Sequence, residues 1–137
     1  MERLRIGFDP DGPWVYKSYR DVLQAMMWEE AKYELYLITK GDTGEPLEIA
    51  AQLGINPANV FYGIVDNDAI VVQLNDSKIK IYLTPIMEVF TLTNETSVDT
   101  VAILVDSKQD IYNIQPKWFQ QLKFWVNRLY SGQEKEC

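Results

Sequence analysis

Short apolar runs and amphipathic stripes take turns along this chain, and that alternation limits the folds open to it more than any other feature. Residues 4–8 form an apolar run that stops at Asp9-Pro10-Asp11-Gly12-Pro13, which reads as a strand followed by a loop. Ser18 then opens a helix, with Asp21 three residues on in the manner of a capping box. Tyr19, Val22, Leu23 and Met26 share one face of it, and Met27 widens the stripe. Residues 34–39 are the next strand, closed by Lys40-Gly41-Asp42. A helix over 46–53 follows, with Pro46 as a natural first helical residue and Gly54 suited to a left-handed end.

Residues 60–65 read as a third strand. The clusters Asp66-Asn67-Asp68 and Asn75-Asp76-Ser77 read as turns, so the expectation for 66–84 is a β-hairpin element built from 69–74 and 78–83. Thr84-Pro85 opens a short helix to about residue 93, and residues 101–105 form the most apolar strand. Pro116 begins the last helix, with Trp118, Phe119, Leu122, Trp125, Val126 and Leu129 on one face. Strands alternating with helices predict an α/β, Rossmann-like three-layer fold, with a mainly parallel central sheet and helices on both faces. No repeat or linker interrupts it, so residues 1–130 are expected as one domain and 131–137 as a flexible C-terminal tail.

The composition narrows the chemistry. Among 137 residues there is no histidine and a single cysteine, Cys137, at the end. Ser-His-Asp triads, Cys-His pairs and imidazole zinc sites are therefore excluded, as is an internal disulfide. Catalysis would have to run on carboxylates, hydroxyls and lysines, with a hard cation such as magnesium. The net charge of −7 argues against non-specific nucleic-acid binding, which depends on basic residues. With 47% apolar residues the chain has enough to fill a core. No apolar run nears the ~18 residues that span a bilayer, and a soluble, cytoplasmic protein without membrane partners is expected.

In parallel sheets ligands sit beyond the carboxyl ends of the strands, so the residues just after each strand are the candidates. These are Asp9 and Asp11, then Thr39 and Lys40, then Asp106 and Asp110. Two aspartates two residues apart can divide labour, one attacking and ligating metal while the other moves a proton. Asp106 with Asp110 would complete an oxygen cage for magnesium, and crowded carboxylates need such a cation. A hydroxyl from Thr39 and a lysine would hold phosphoryl oxygens. Singly, each piece is also ordinary: Asp-Pro-Asp-Gly is an excellent turn sequence.

Taken together, these motifs resemble the haloacid dehalogenase superfamily of aspartate-nucleophile phosphohydrolases. Ile6-Gly7-Phe8-Asp9-Pro10-Asp11-Gly12 is similar to its first motif, and Leu35-Tyr36-Leu37-Ile38-Thr39, continued by Lys40-Gly41-Asp42, to its second. Val101-Ala102-Ile103-Leu104-Val105-Asp106 with Asp110 resembles its fourth. The resemblance spans about residues 4–130 and implies a magnesium-dependent phosphomonoesterase that works through an aspartyl-phosphate. It makes Asp9 the nucleophile and Asp11 the acid–base, with Thr39 and Lys40 on the phosphoryl group. Magnesium would be held by Asp9, Asp11 and Asp106, with Asp110 in support. The third motif is a lysine ahead of the last motif, for which Lys78 and Lys80 are both candidates and Lys78 is preferred. Only 27 residues separate Asp11 from Thr39, and there is no room for a cap domain after Thr39. A capless member is implied, open to a large phosphorylated substrate.

Two departures carry an alternative. Pro13 replaces the family's usual Thr or Val, and Pro10 removes a backbone N–H inside the loop that would surround a phosphate. The alternative is a catalytically inactive binding or interaction module on the same haloacid-dehalogenase-like fold. A phosphoacceptor receiver domain fits less well, because Thr39 comes too early in the order. Of the tryptophans, Trp118 and Trp125 belong to a core stripe, Trp14 is placed to wall the site or cover the sheet edge, and Trp28 lies off its helix's stripe as a candidate interface residue.

Overall fold

A computed structural model describes residues 2–105 and 115–135. Its elements alternate as β1 (Leu4–Phe8), α1 (Lys17–Trp28), β2 (Tyr33–Ile38), α2 (Glu45–Leu53), β3 (Val60–Phe61), α3 (Asn67–Asp76), β4 (Ile81–Thr84), α4 (Met87–Thr96), β5 (Val101–Leu104) and α5 (Lys117–Lys135). The five strands make one sheet in the order β3-β2-β1-β4-β5, and every pairing is parallel. This is the parallel α/β architecture that the alternation predicts. Among the described residues no helix is long and apolar enough to cross a membrane.

Strand periodicity divides the core into two layers. Leu4, Ile6 and Phe8 of β1 face the same side as Leu35 and Leu37 of β2, where α1, α2 and α5 cover them with Leu23, Ile49 and Trp118. Tyr36 and Ile38 face the other side, under Ile70 and Leu74 of α3 and Val89 of α4. Gly7 faces that second layer too. A Cβ there would lie 3.1 Å from the Tyr82 ring and 3.3 Å from Ile79, so glycine lets Tyr82 pack closely against the central strand.

The hairpin expected over 66–84 does not form. Its first half is helix α3, and β4 pairs in parallel with β1 and β5. Topology explains this, because β3 lies on one side of β1 and β4 on the other. Parallel strands so placed need a long crossover, usually helical, and a tight turn cannot supply it. The two polar clusters that resemble turns are the helix ends: Asp66 is the N-cap with extended backbone, and Ser77 is the C-cap. Ile70, Val71 and Leu74 are buried while Val72 is 56% exposed, which is helical spacing. The β-branched run Ile70-Val71-Val72 favours a strand locally, and tertiary packing overrides that preference.

Smaller differences have similarly local causes. The third strand is only Val60–Phe61. Beyond it Gly63 takes φ +70°, and its N–H donates to Gly41 O at 2.7 Å, holding an irregular segment against the turn after β2. The Ser18–Asp21 capping box does not form, because α1 begins at Lys17 and Asp21 instead pairs with Lys17 at 2.8 Å. Helix α4 starts at Met87 because Thr84 still belongs to β4. Gly54 does adopt the left-handed end of α2, at φ +81°.

Alanine substitutions within 70–74 discriminate the two readings of this segment. In a strand, Ile70, Val72 and Leu74 would share a face and cost alike. In helix α3, Leu74→Ala is expected to destabilise by about 2–5 kcal/mol and Val72→Ala by no more than about 0.5 kcal/mol, read by urea denaturation.

Candidate functional site

Three parallel strands end side by side at one edge of the sheet. The register Phe8↔Leu37 and Phe8↔Leu83 puts Asp9, one residue on, level with Ile38 of β2 and Thr84 of β4. The strand order also reverses here: the chain runs outward from β1 through β2 and β3, then restarts on the other side with β4. Asp9 therefore stands at the topological switch point, where open α/β sheets place their ligands.

Asp9 is held from every direction. Its backbone N–H donates to Leu83 O at 2.9 Å, and its carbonyl accepts from the Tyr19 hydroxyl at 3.0 Å. Its Oδ1 accepts from the Thr39 hydroxyl at 2.7 Å and from the backbone N–H of Asp11 at 2.9 Å. The second contact is an Asx turn, so the Asp-Pro-Asp-Gly sequence does make the turn its composition suggests. Thr39 is polarised in turn by the Gly41 N–H, which donates to its Oγ1 at 3.1 Å. Across the second core layer, the buried Tyr82 hydroxyl donates to Ile38 O at 2.6 Å and fixes the end of β2.

Burial dominates the electrostatics. Asp9 is 1% exposed, and its carboxyl is pushed up to about 6 from an ordinary 3.8. Desolvation is the main cause, and the Asp11 charge adds to it; the Asp11 N–H, the Thr39 hydroxyl and the Lys40 charge oppose it. Beside this carboxyl lies a cavity of about 250 Å³ lined by Asp11, Thr39, Gly41, Asp42, Glu45 and Pro46 among others. Three of those side chains are carboxylates. Asp42 and Glu45 were not among the sequence candidates, although both sit in the turn and helix start that follow Thr39.

The structure thus gathers Asp9, Asp11, Thr39 and Lys40 at one strand-end cluster. Lys78 does not join them. It precedes β4 at the opposite edge of the sheet, with φ +56°, and lines a separate cavity with Arg3, Arg5, Glu34 and Asp99. Lys80 is there as well, its N–H bonded to Arg5 O. A β4 strand's length of about 13 Å separates that edge from Asp9, so the structure does not bring Lys78 to the other candidates. Asp106 and Asp110 lie outside the described residues; the strand before them, β5, is kept from β1 by β4. Trp14 packs against the first core layer.

The described residues alone do not make a magnesium site. No group of three or more acidic side chains able to hold a metal occurs among them. The strand end next to Asp9 carries Thr84, whose buried hydroxyl accepts from the Ile86 N–H at 3.1 Å. Asp9 itself offers a carboxyl with one oxygen already accepting two hydrogen bonds.

A raised carboxyl pKa is also a stability statement. Between about pH 4 and 6 the folded state keeps a proton that the unfolded chain has released, so stability falls as pH rises through that window. The loss is on the order of 2–3 kcal/mol. Asp9→Asn retains the Oδ1 acceptor without the charge. It is expected to be more stable than wild type by that order above pH 6, with the gap closing near pH 4, in urea unfolding across the range.

No protein-family model, no curated protein and no solved structure matches this chain, so what is shown is a parallel α/β domain with five strands and a carboxylate cluster at its switch point.

Proposed function

We propose that the chain is a catalytically inactive binding or interaction module built on a haloacid-dehalogenase-like scaffold. The observation that carries this reading is the state of Asp9. A nucleophile for phosphoryl transfer must reach phosphorus at about 3–3.5 Å with its attacking oxygen aligned. Here the carboxyl is 1% exposed, and Oδ1 is tied to Thr39 and to the Asp11 N–H. Its surroundings agree. The adjoining cavity is lined by Asp11, Asp42 and Glu45, which repel a phosphate, and Lys78 is at the far edge. Asp9 then acts as the pin that joins the ends of β1 and β2.

A second reading, the magnesium-dependent phosphomonoesterase, is favoured by one specific observation. Asp9, Asp11 and Thr39 converge at the switch point, and a desolvated, perturbed carboxyl in such a place is a functional-site signature. In that reading Asp9 would attack phosphorus, Asp11 would protonate the leaving oxygen, and Thr39 would hold the phosphoryl group of a large substrate.

Hydrolysis of p-nitrophenyl phosphate with magnesium, comparing wild type with Asp9→Asn, separates the two. The binding-module reading expects no wild-type turnover above the variant. Magnesium-dependent turnover lost in Asp9→Asn overturns it in favour of the phosphomonoesterase.

A further inference from the structure

Strand β5 lies at one margin of the sheet and is bonded to β4 on one side only. Among the described residues no strand covers its other side. Such an edge presents backbone donors and acceptors in a row. The run Thr100-Val101-Ala102-Ile103-Leu104-Val105 is uncharged and rich in β-branched residues, the kind of segment that pairs with copies of itself. Alternation fixes which of its backbone groups face outward. The N–H groups of Val101 and Val105 donate to Lys80 O and Thr84 O on the β4 side, each at 2.9 Å, so Ala102 between them points its N–H and C=O away from the sheet. Both are taken. The Asn94 carboxamide accepts from the Ala102 N–H at 2.8 Å through Oδ1 and donates to the Ala102 C=O at 3.1 Å through Nδ2. The Thr100 N–H, two residues earlier, donates to Ser97 Oγ at 3.1 Å. Asn94 lies in the last turn of α4 and Ser97 is its C-cap, three residues on, so one end of one helix supplies both side chains.

We propose that Asn94 is an edge guard: its carboxamide stands in for the peptide of a sixth strand at Ala102 and keeps the chain from pairing edge to edge with a second copy. A carboxamide carries the same donor and acceptor as a peptide group, and opposed residues of an antiparallel pair can exchange both bonds. A two-fold axis midway between two Ala102 residues would make that exchange, the N–H of each to the C=O of the other, with Thr100 opposite Leu104 on either side. The bonds Asn94 makes and the bonds a second copy would make use the same two groups, so they exclude each other. Docking of α4 does not account for Asn94. Val89 and Thr93 are the buried residues of that helix, whereas Asn94 is exposed, which also leaves the edge beside it within reach of another strand. Ser97 Oγ donates to Asn75 Oδ1 at 2.8 Å while it accepts from Thr100, so the second guard is itself held in place. This edge is independent of the Asp9 cluster, since β4 lies between β5 and β1.

Sedimentation equilibrium of the full chain, combined with hydrogen exchange at the Ala102 amide, tests this. Asn94→Ala is expected to raise the self-association constant at least about tenfold over wild type. Its Ala102 amide should exchange fast in dilute solution and slow again as concentration drives pairing, whereas the wild-type amide stays protected throughout. Asn94→Asp loses the donor to the Ala102 C=O but puts a charge on the edge, so it is expected to associate no more than wild type. Circular dichroism and urea unfolding should show both variants folded, because Asn94 is exposed. Should Asn94→Ala not fold, Ser97→Ala carries the same test with a smaller increase expected, and wild-type association in it then overturns the proposal. A folded Asn94→Ala that associates no more than wild type overturns it, as does association that leaves the Ala102 amide exchanging fast. Asn94→Asp associating as strongly as Asn94→Ala overturns it too, since lost stability rather than an open edge is then the cause.

Discussion

The central strand β1 is hydrogen-bonded in parallel on both sides, to β2 and to β4, and the rest of the molecule follows from that double pairing. A strand paired on both edges and covered on both faces has no room for polar side chains except at its ends. Leu4, Ile6 and Phe8 go to one layer, and Gly7 leaves the other to the Tyr82 ring. Parallel pairing on both sides also demands two crossovers of opposite destination, one to β2 and one that returns from β3 to β4. The first is α1, and the second is α3. The switch point between them is where Asp9 emerges, which is why the first polar residue after β1 is the most constrained carboxyl among the described residues.

This constraint explains which features were legible in the sequence. Strands β1, β2 and β5 announce themselves because each is a short apolar run ended by polar or turn-forming residues. Helices α1, α2 and α5 carry stripes that match their buried faces, and Gly54 ends α2 as its lack of a side chain allows. Helix α3 was hidden by its composition. Its β-branched Ile70, Val71 and Val72 prefer a pleated strand, and its capping Asp66 and Ser77 are also favoured turn residues. The helix is imposed by where β4 must lie, a non-local fact. Lys78 lies ahead of β4, and a residue that precedes a strand parallel to β1 sits at the amino edge of the sheet, opposite the acids.

At the site, the sequence identified the residues but not their relations. Asp9, Asp11 and Thr39 were recognisable because each follows a strand. That Thr39 donates to Asp9 rather than to a ligand depends on the register of β1 against β2, which a single sequence does not encode locally. Tyr19 and Tyr82 were absent from the candidates for a related reason. Each reads as an apolar core residue, and only the packed structure shows their hydroxyls reaching the carbonyls of Asp9 and Ile38. A buried hydroxyl needs such a partner, and the carbonyls of Asp9 and Ile38 supply it.

The separation of charge between the two edges has an architectural origin as well as a chemical one. In a parallel α/β sheet every connecting helix begins near the carboxyl ends of the strands and finishes near their amino ends. Helix N-termini favour negative charge and C-termini positive charge. Glu45 and Glu48 occupy the first turn of α2, Asp68 that of α3 and Glu88 that of α4. At the other edge, the Arg5 guanidinium donates to Ser77 O at 2.9 Å and so satisfies the end of α3, with Lys78 and Lys80 close by. Of the acids near Asp9, Glu45 is thus one that the dipole of its helix selects. Asp9 differs from them in kind. It follows a strand rather than opening a helix, and burial works against its charge, so helix dipoles do not explain its presence.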